Sequence, residues 1–405
     1  MNARTIAYLA LMAYEEKGLF LYDFIEEHKS QLTPLDLALA YELSCGTMRM
    51  QRYLDFAAKT LSDKQRLPAK KKERLLLRLA LYQCYFLSRM PLHAIGKETI
   101  DVAKKYTQPQ FGKFLNAVIR KVDREKPPAC PEIDSAYSYP SFFVERLITH
   151  YGKEKTIAIL DLQNRPTKLM ARIRDTTGTV SATLLEKSTR HNEMLVFEKG
   201  ENLADLHKSA QLYIQNSTQP TLIKQLAKQL NKAPQAILDL CAAPGGKTVL
   251  VHDLFPDAKI HANDVSQAKL LRLKENLKKY GIAAQITCEK GELLSLDASF
   301  DLIIVDAPCT NSGVLYKCPE ARFRISQASL SELQNQSLAL LKNAKKHLKK
   351  GGKIWYLTCS ILPEENEHLC ALACQELGLK QEASFLQLPN EEGFEGGFGA
   401  QLTFV

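Results

Sequence analysis

Along the first 126 residues apolar side chains recur at helical spacing, and hardly any β-branched alternation interrupts them. LTPLDLALAYELSCGTMRMQRYLDFAAKTL (32–61) repeats apolar residues at i, i+3, i+4 and i+7, with Thr33 placed as N-cap and Pro34 in the first turn. Residues 70–90 predict a second strong helix, halted by Pro91, and His93–Tyr106 and Phe111–Val122 supply two more. Residues 127–140, with four prolines, read as a linker. The pattern then turns mixed: helices near 141–151 and 154–163, a strand at LMARIRD (169–175), and a weakly alternating stretch, 176–212, that the pattern does not place.

From residue 236 short apolar runs alternate with helical stretches. AILDLC (236–241), KIHANDV (259–265), QITCEKG (285–291), FDLIIVDAPC (300–309) and KIWYLTCS (353–360) predict strands. Helices fall near 246–254, 267–280, 329–349 and 364–377. That alternation predicts an α/β domain with a doubly wound, mostly parallel sheet. The expected organisation is an all-α domain over 1–126, a linker over 127–140, a small α+β segment over 141–235 and the α/β domain over 236–405. Ligands of such sheets sit beyond the carboxyl ends of the strands, near the switch in strand order.

Composition changes this picture little. With 45% hydrophobic and 24% charged residues the chain reads as a soluble globular protein. No run approaches the ~20 apolar residues of a membrane span. The N-terminus carries Glu15 and Glu16 in a helical rhythm, unlike a signal peptide, so a cytoplasmic protein is expected. Charge is more informative. Residues 1–130 hold 22 Lys+Arg against 14 Asp+Glu, about +8 of the total +9. A basic first third fits a polyanionic partner, and a solvated helical surface fits the same count. The ten cysteines form no CxxC pair, and Cys370 with Cys374 beside His368 is too little for zinc, so no metal is expected.

The candidate chemistry lies at the strand ends. LDLCAAPGGKT (238–248) runs from a buried strand through Pro244-Gly245-Gly246 into a helix, offering close backbone approach and free N–H groups. It is neither GxGxxG nor a P-loop. The next strand ends in Asn263-Asp264, where an acid accepts hydrogen bonds from ribose hydroxyls or caps the following helix. The third ends in Gly291-Glu292. The fourth and fifth end in Asp306-Ala307-Pro308-Cys309 and Thr358-Cys359-Ser360. One strand-end cysteine is ordinary packing; two at neighbouring ends, each followed by a polar turn, suggest thiol chemistry.

LDLCAAPGGKT, DAPCTNSGV (306–314) and TCSILPEEN (358–366) resemble, in order and spacing, the bacterial Sun/Fmu and eukaryotic nucleolar family of RNA (cytosine-5)-methyltransferases over about residues 137–405. RMPLHAIGKETID (89–101) and FLNAVIRKV (114–122) are similar to a NusB-like RNA-binding helical domain. The resemblance implies a class I, Rossmann-like methyltransferase fold, S-adenosyl-L-methionine as cofactor, and one cytosine of 16S ribosomal RNA as target. Cys359 would add to C6 of that cytosine, making C5 nucleophilic, and Cys309 would assist release. Asp306 would touch the cofactor's amino end and the cytosine's polar edge. Cys241, Ala242, Ala243, Pro244, Gly245, Gly246 and Lys247 would hold the methionine part, Asp264 the ribose and Glu292 the adenine edge. The target base must be unpaired or flipped out. A thiolate is required at Cys359, and Lys247 is one candidate to favour it. A monomer is expected, with neither membrane nor DNA as partner.

The chain departs from that pattern at several places. Glu292 stands for Asp, Cys318-Pro319-Glu320 for His-Pro-Asp, Arg172-Ile173-Arg174 for Arg-Val-Asn, Ile214-Gln215-Asn216 for Val-Gln-Asp, and Gly396-Gly397-Phe398-Gly399 for Asp-Gly-Phe-Phe. The second departure bears on RNA contact, and the last is expected to loosen the target-base pocket. Alternatives within reach are a transfer-RNA cytosine-5 methyltransferase and a non-catalytic RNA-binding assembly factor. Amino methylation is set aside, because DAPC offers a thiol where an exocyclic amine needs an acceptor.

Overall fold

The computed structural model describes residues 2–174, 180–191, 193–197, 206 and 209–404. They form two compact units: one of residues 1–164 with 315–325, the other of 165–314 with 326–405. The boundary differs from the expected one at 141. The 141–162 helices, read with the α+β segment, belong to the helical unit, and so does an eleven-residue excursion from the α/β unit.

The helical unit is built from α1 (Ala3–Lys17), α2 (Leu21–His28), α3 (Pro34–Arg49), α4 (Gln51–Leu61), α5 (Lys71–Phe86), α6 (Leu92–Tyr106), α7 (Pro109–Arg120), α8 (Ile133–Ala136), α9 (Ser141–Tyr151) and α10 (Lys153–Leu162). Thr33 caps α3 as expected, its hydroxyl accepting from Asp36 N, with Pro34 opening the helix. The single helix expected over 32–61 is broken at Met50. Groups distant in sequence satisfy the broken turn: Arg322 Nη1 donates to Arg49 O at 3.1 Å, and Arg52 N donates to Ser138 Oγ at 3.0 Å. The 70–90 helix stops at Phe86, short of Pro91, because the Arg124 guanidinium takes up Cys84 O at 2.7 Å and Met90 O at 2.6 Å. The supposed linker contains α8 and the fully buried Tyr139, whose ring lies 4.0 Å under the Arg322 guanidinium.

The second unit opens with β1 (Leu169–Ile173), α11 (Ala182–Glu186), β2 (Ser188–His191), β3 (Met194–Phe197) and β4 (Leu212–Ile214). These strands form a small antiparallel sheet in the order β2-β3-β1-β4. So the stretch 176–212 contributes two strands; 176–179, 192, 198–205, 207 and 208 lie outside the described residues. Next come α12 (Thr218–Ala227), β5 (Ala236–Asp239), α13 (Gly246–Leu254), β6 (Lys259–Asn263), α14 (Gln267–Lys279), β7 (Ala284–Thr287) and β8 (Phe300–Asp306). The chain continues through α15 (Gln327–Lys346), β9 (Leu348–Thr358), α16 (Glu367–Leu377), β10 (Leu379–Gln387) and β11 (Gly397–Phe404).

These elements make a seven-stranded sheet in the order β10-β11-β9-β8-β5-β6-β7, parallel from β9 to β7. Helices cover both faces, so the inner stretches of β8 (302–305) and β9 (354–357) are apolar at successive positions rather than alternately. Ile303, Val305, Ile354 and Tyr356 enter one core; Leu302, Ile304, Trp355 and Leu357 enter the other. The β10–β11 hairpin, antiparallel to β9, was not expected. Strand order reverses beside β5, which sets the mouth of the site.

Candidate active site

Beyond the carboxyl ends of β5, β6 and β8 lies a cleft of about 530 Å³, within the range of small-ligand sites. Cys241, Ala243, Asp264, Glu292, Asp306, Cys309 and Cys359 all line it, so most of the expected site residues converge there. Ala242, Pro244, Gly245, Gly246 and Lys247, also expected at the site, do not line it. Ala242 is buried in the core, Gly246 backs onto the Tyr213 ring, and Pro244 follows a cis peptide bond. Gly245 has φ +111°, and a Cβ there would lie 2.9 Å from Leu273 Cδ1. Both facts call for glycine at the point where the chain turns into α13. That helix has no side-chain cap, so its first N–H groups stay available.

Asp264 is oriented before any ligand arrives: Oδ2 accepts from Ala243 N at 3.1 Å and Oδ1 from Ser266 N at 2.9 Å. Asn263, which the sequence offered only as its neighbour, ties three strand ends together. Its Nδ2 donates to Leu240 O and Glu289 O, and its Oδ1 accepts from Thr287 Oγ1 and Glu289 N. Glu292 stands in a turn, since β7 ends at Thr287 and not at Gly291. Gly291 is fixed by close approach, as a Cβ would meet Leu340 Cδ2 at 2.6 Å.

Lys247 Nζ donates to Asp306 Oδ2 at 2.6 Å. Burial works against its charge, but the Asp306 carboxylate outweighs it and holds the ammonium above its ordinary value, with Cys359 adding in the same direction. Lys247 is therefore a fixed cation near Cys359 and not a base. The two thiols are both free, with Cys309 Sγ 3.1 Å from Cys359 Sγ. The hydrogen bond with Cys359 and then burial push the Cys309 thiol well up, so it keeps its proton. Cys359 Sγ also donates to Asn311 Oδ1 at 2.8 Å.

A buried carboxylate that sequence reading missed brackets this pair. Glu365 accepts from Thr310 N at 2.7 Å, Thr310 Oγ1 at 2.6 Å and Ser360 Oγ at 2.5 Å, the residues that follow the two cysteines. Burial, the largest influence, raises its pKa against the pull of those hydrogen bonds. The signal in the sequence was its place in TCSILPEEN.

Most of the departures serve packing. Arg172 and Arg174, both buried, share Asp253 at 2.7 Å each. Asn216 Oδ1 accepts from Thr218 N and Glu395 N while its Nδ2 donates to Gly393 O. Glu320 is buried in the helical unit, where Leu21 N donates to it. Gly396 N donates to Gly313 O at 2.8 Å, and a Cβ on Gly313 would lie 2.5 Å from Gly396 O. This crossing is close-packed.

Comparison with known proteins places this arrangement. Residues 226–403 match the 16S rRNA methyltransferase RsmB/F family, and residues 1–124 the NusB family. A ribosomal RNA small subunit methyltransferase B of Proteus mirabilis is 30% identical over 390 residues, covering 91% of this chain and 90% of the relative. The chain belongs to the RsmB/F family. Another RsmB of this kind, from Escherichia coli, is 28% identical over 99% of this chain and 98% of its own. Two solved structures share the fold. One is PH0851, with a TM-score of 0.76, 23% identity and coverage of 99% and 98%. The other is NSun6 from Pyrococcus horikoshii with SFG, with a TM-score of 0.58, 18% identity and coverage of 66% and 98%.

As an RsmB/F member the chain is an S-adenosylmethionine-dependent ribosomal RNA methyltransferase. The donor set fits that cofactor. The cleft is lined by the carboxylates of Asp264, Glu292 and Asp306, acceptors suited to the hydroxyl and amino groups of such a cofactor, and the Gly245 turn opens α13 with uncapped N–H groups. No described helix is long and apolar enough to cross a membrane.

Proposed function

We propose that this RsmB/F protein methylates C5 of a cytosine in 16S ribosomal RNA, with Cys359 as nucleophile and Cys309 as its proton-bearing partner. The observation that carries this reading is the pair of free thiols, 3.1 Å apart on neighbouring strand ends at the edge of the cofactor cleft. The bound cofactor supplies an electrophilic methyl group. The thiolate of Cys359 forms a bond to C6, and the C5–C6 electron pair becomes the nucleophile at C5. After C5 is methylated its proton passes to Cys309 Sγ as Cys309 hands its own proton to the departing Cys359 sulfur, and the C5–H electrons restore the double bond as the Cys359–C6 bond breaks. Cys309 is buried and keeps its proton beside Cys359, so it is suited to relay a proton at Sγ rather than to compete as nucleophile. Lys247, fixed by Asp306, places positive charge near the thiolate. Asp306 keeps its other oxygen for the cofactor's amino end or the polar edge of a flipped-out base.

The test is a denaturing gel of protein incubated with unmodified 16S RNA and methyl-labelled S-adenosylmethionine. Cys309→Ala should accumulate a labelled protein–RNA adduct, and Cys359→Ala should form none and methylate nothing. If both variants match wild type, the thiols are packing residues and the mechanism falls. Labelling confined to transfer RNA would remove the ribosomal target.

A further inference from the structure

Asn311 is one of three described non-glycine residues with positive φ, here +59°. Glycine adopts that conformation without cost, and asparagine is among the few other residues that tolerate it. Asparagine there is thus a choice that its side chain must justify, and that side chain lies in the cleft with Oδ1 2.8 Å from Cys359 Sγ. Its own backbone N–H hydrogen-bonds Cys309, so the residue straddles both thiols. Its position is fixed by the turn around it: Val314 N donates to Asn311 O, and Gly313 N donates to Cys359 O at 2.9 Å.

We infer that Asn311 is the positioning residue for Cys359 and partners the sulfur in both protonation states. The inference rests on the reading of Cys359 as nucleophile. In the thiol form the amide oxygen accepts the S–H. Once the proton has left, the sulfur can only accept. The terminal torsion of asparagine is broad and two-fold, so turning the amide over brings Nδ2–H to the same point. The thiolate would then face an amide N–H from Asn311 and an S–H from Cys309. The charged and titratable groups around it are few. Cys309 and Asp306 come from the β8 end, Lys247 from α13, and Glu365 from the turn after β9. Lys247 is held in place by Asp306 and Glu365 by its three donors, which leaves Asn311 as the adjustable dipole in contact with the sulfur.

The test uses the full-length protein without cofactor or RNA. Iodoacetamide labelling of Cys359 is followed from pH 6 to 10 by peptide mass spectrometry in wild type, Asn311→Gly and Asn311→Asp. Both replacements tolerate the backbone conformation, and Asp is nearly isosteric, so folding is retained and is checked by circular dichroism. Asn311→Gly should slow Cys359 labelling at pH 7 about tenfold, moving the midpoint up by about one pH unit, equivalent to ~1.4 kcal/mol. Asn311→Asp, which puts negative charge against the sulfur, should move it further. A midpoint unchanged or lowered in Asn311→Gly overturns the inference, because the amide would then serve only the thiol. The adduct gel separates the two readings. If Cys359→Ala forms no adduct while Asn311→Gly labels like wild type, this inference alone falls. If Asn311→Gly shifts the labelling while Cys359→Ala still methylates, the amide–thiolate contact stands and the nucleophile assignment falls.

Discussion

Asp239, at the end of β5, is a carboxyl group whose surroundings do little to support its charge. It is fully buried, accepts one hydrogen bond from Thr248 Oγ1 at 2.7 Å, and its Oδ1 has no partner among the described residues. Burial pushes its pKa from the ordinary 3.8 to about 7, against the pull of Thr248 and with a further push from Asp306. The unfolded chain releases this proton near the ordinary value. Between about pH 4 and pH 7 the folded protein therefore holds a proton that the unfolded chain has lost, and raising the pH through that window favours unfolding. Above about pH 7 both states are ionised and the effect is constant. At ~1.4 kcal/mol per pH unit, about three units set a ceiling of about 4 kcal/mol. Asp239→Asn keeps the shape and an acceptor for Thr248 and never ionises. Urea unfolding at pH 5, 6, 7 and 8 can be followed through Trp355, the only tryptophan, which lies in the core beside β8 and so reports the α/β unit. The stability of the variant relative to wild type should rise from pH 5 to pH 7 by about 1 to 2.5 kcal/mol, then level off by pH 8. Parallel curves across the range, or a difference that grows on acidification, would refute the reasoning.

Two further perturbations test the site's framework. Glu365→Gln presents an amide nitrogen to one of three donors, so the α/β unit should lose about 1–3 kcal/mol by the same fluorescence assay, with adduct formation slowed; wild-type stability would show that the bracket is idle. Gly245→Ala should weaken S-adenosylmethionine binding about tenfold or more in calorimetry, because a side chain is strained at φ +111° and crowds Leu273; an unchanged affinity would remove the glycine turn from the cofactor site.

What the sequence revealed follows the range of the forces involved. The five parallel strands and their helices were legible because burial on both faces writes short apolar runs, clearest in β5, β8 and the second half of β9. The convergence of Cys309 and Cys359 was legible because both end such runs. The break at Met50 was not, since the groups that satisfy it, Arg322 and Ser138, lie hundreds of residues or tens of residues away. The excursion of 315–325 into the helical unit was hidden for the same reason. The β10–β11 hairpin was missed because β10 alternates buried and exposed positions only weakly and β11 opens on glycines. Glu365 read as one acid of a polar turn, and only its burial shows that it binds both thiol-bearing loops.

The crossing of Gly313 and Gly396 has a bearing on synthesis. Gly396 N donates to Gly313 O, Gly313 N donates to Cys359 O, and β11 must slot between β9 and β10 for this contact to form. Translation delivers the chain from its N-terminus, so the helical unit, the cofactor turn and both thiols are made before the strand that closes over them. A nascent chain halted before residue 396 would carry every candidate catalytic group and still lack the backbone support beneath Cys359. The two thiol-bearing loops would take their final packing only when that hairpin docks against β9.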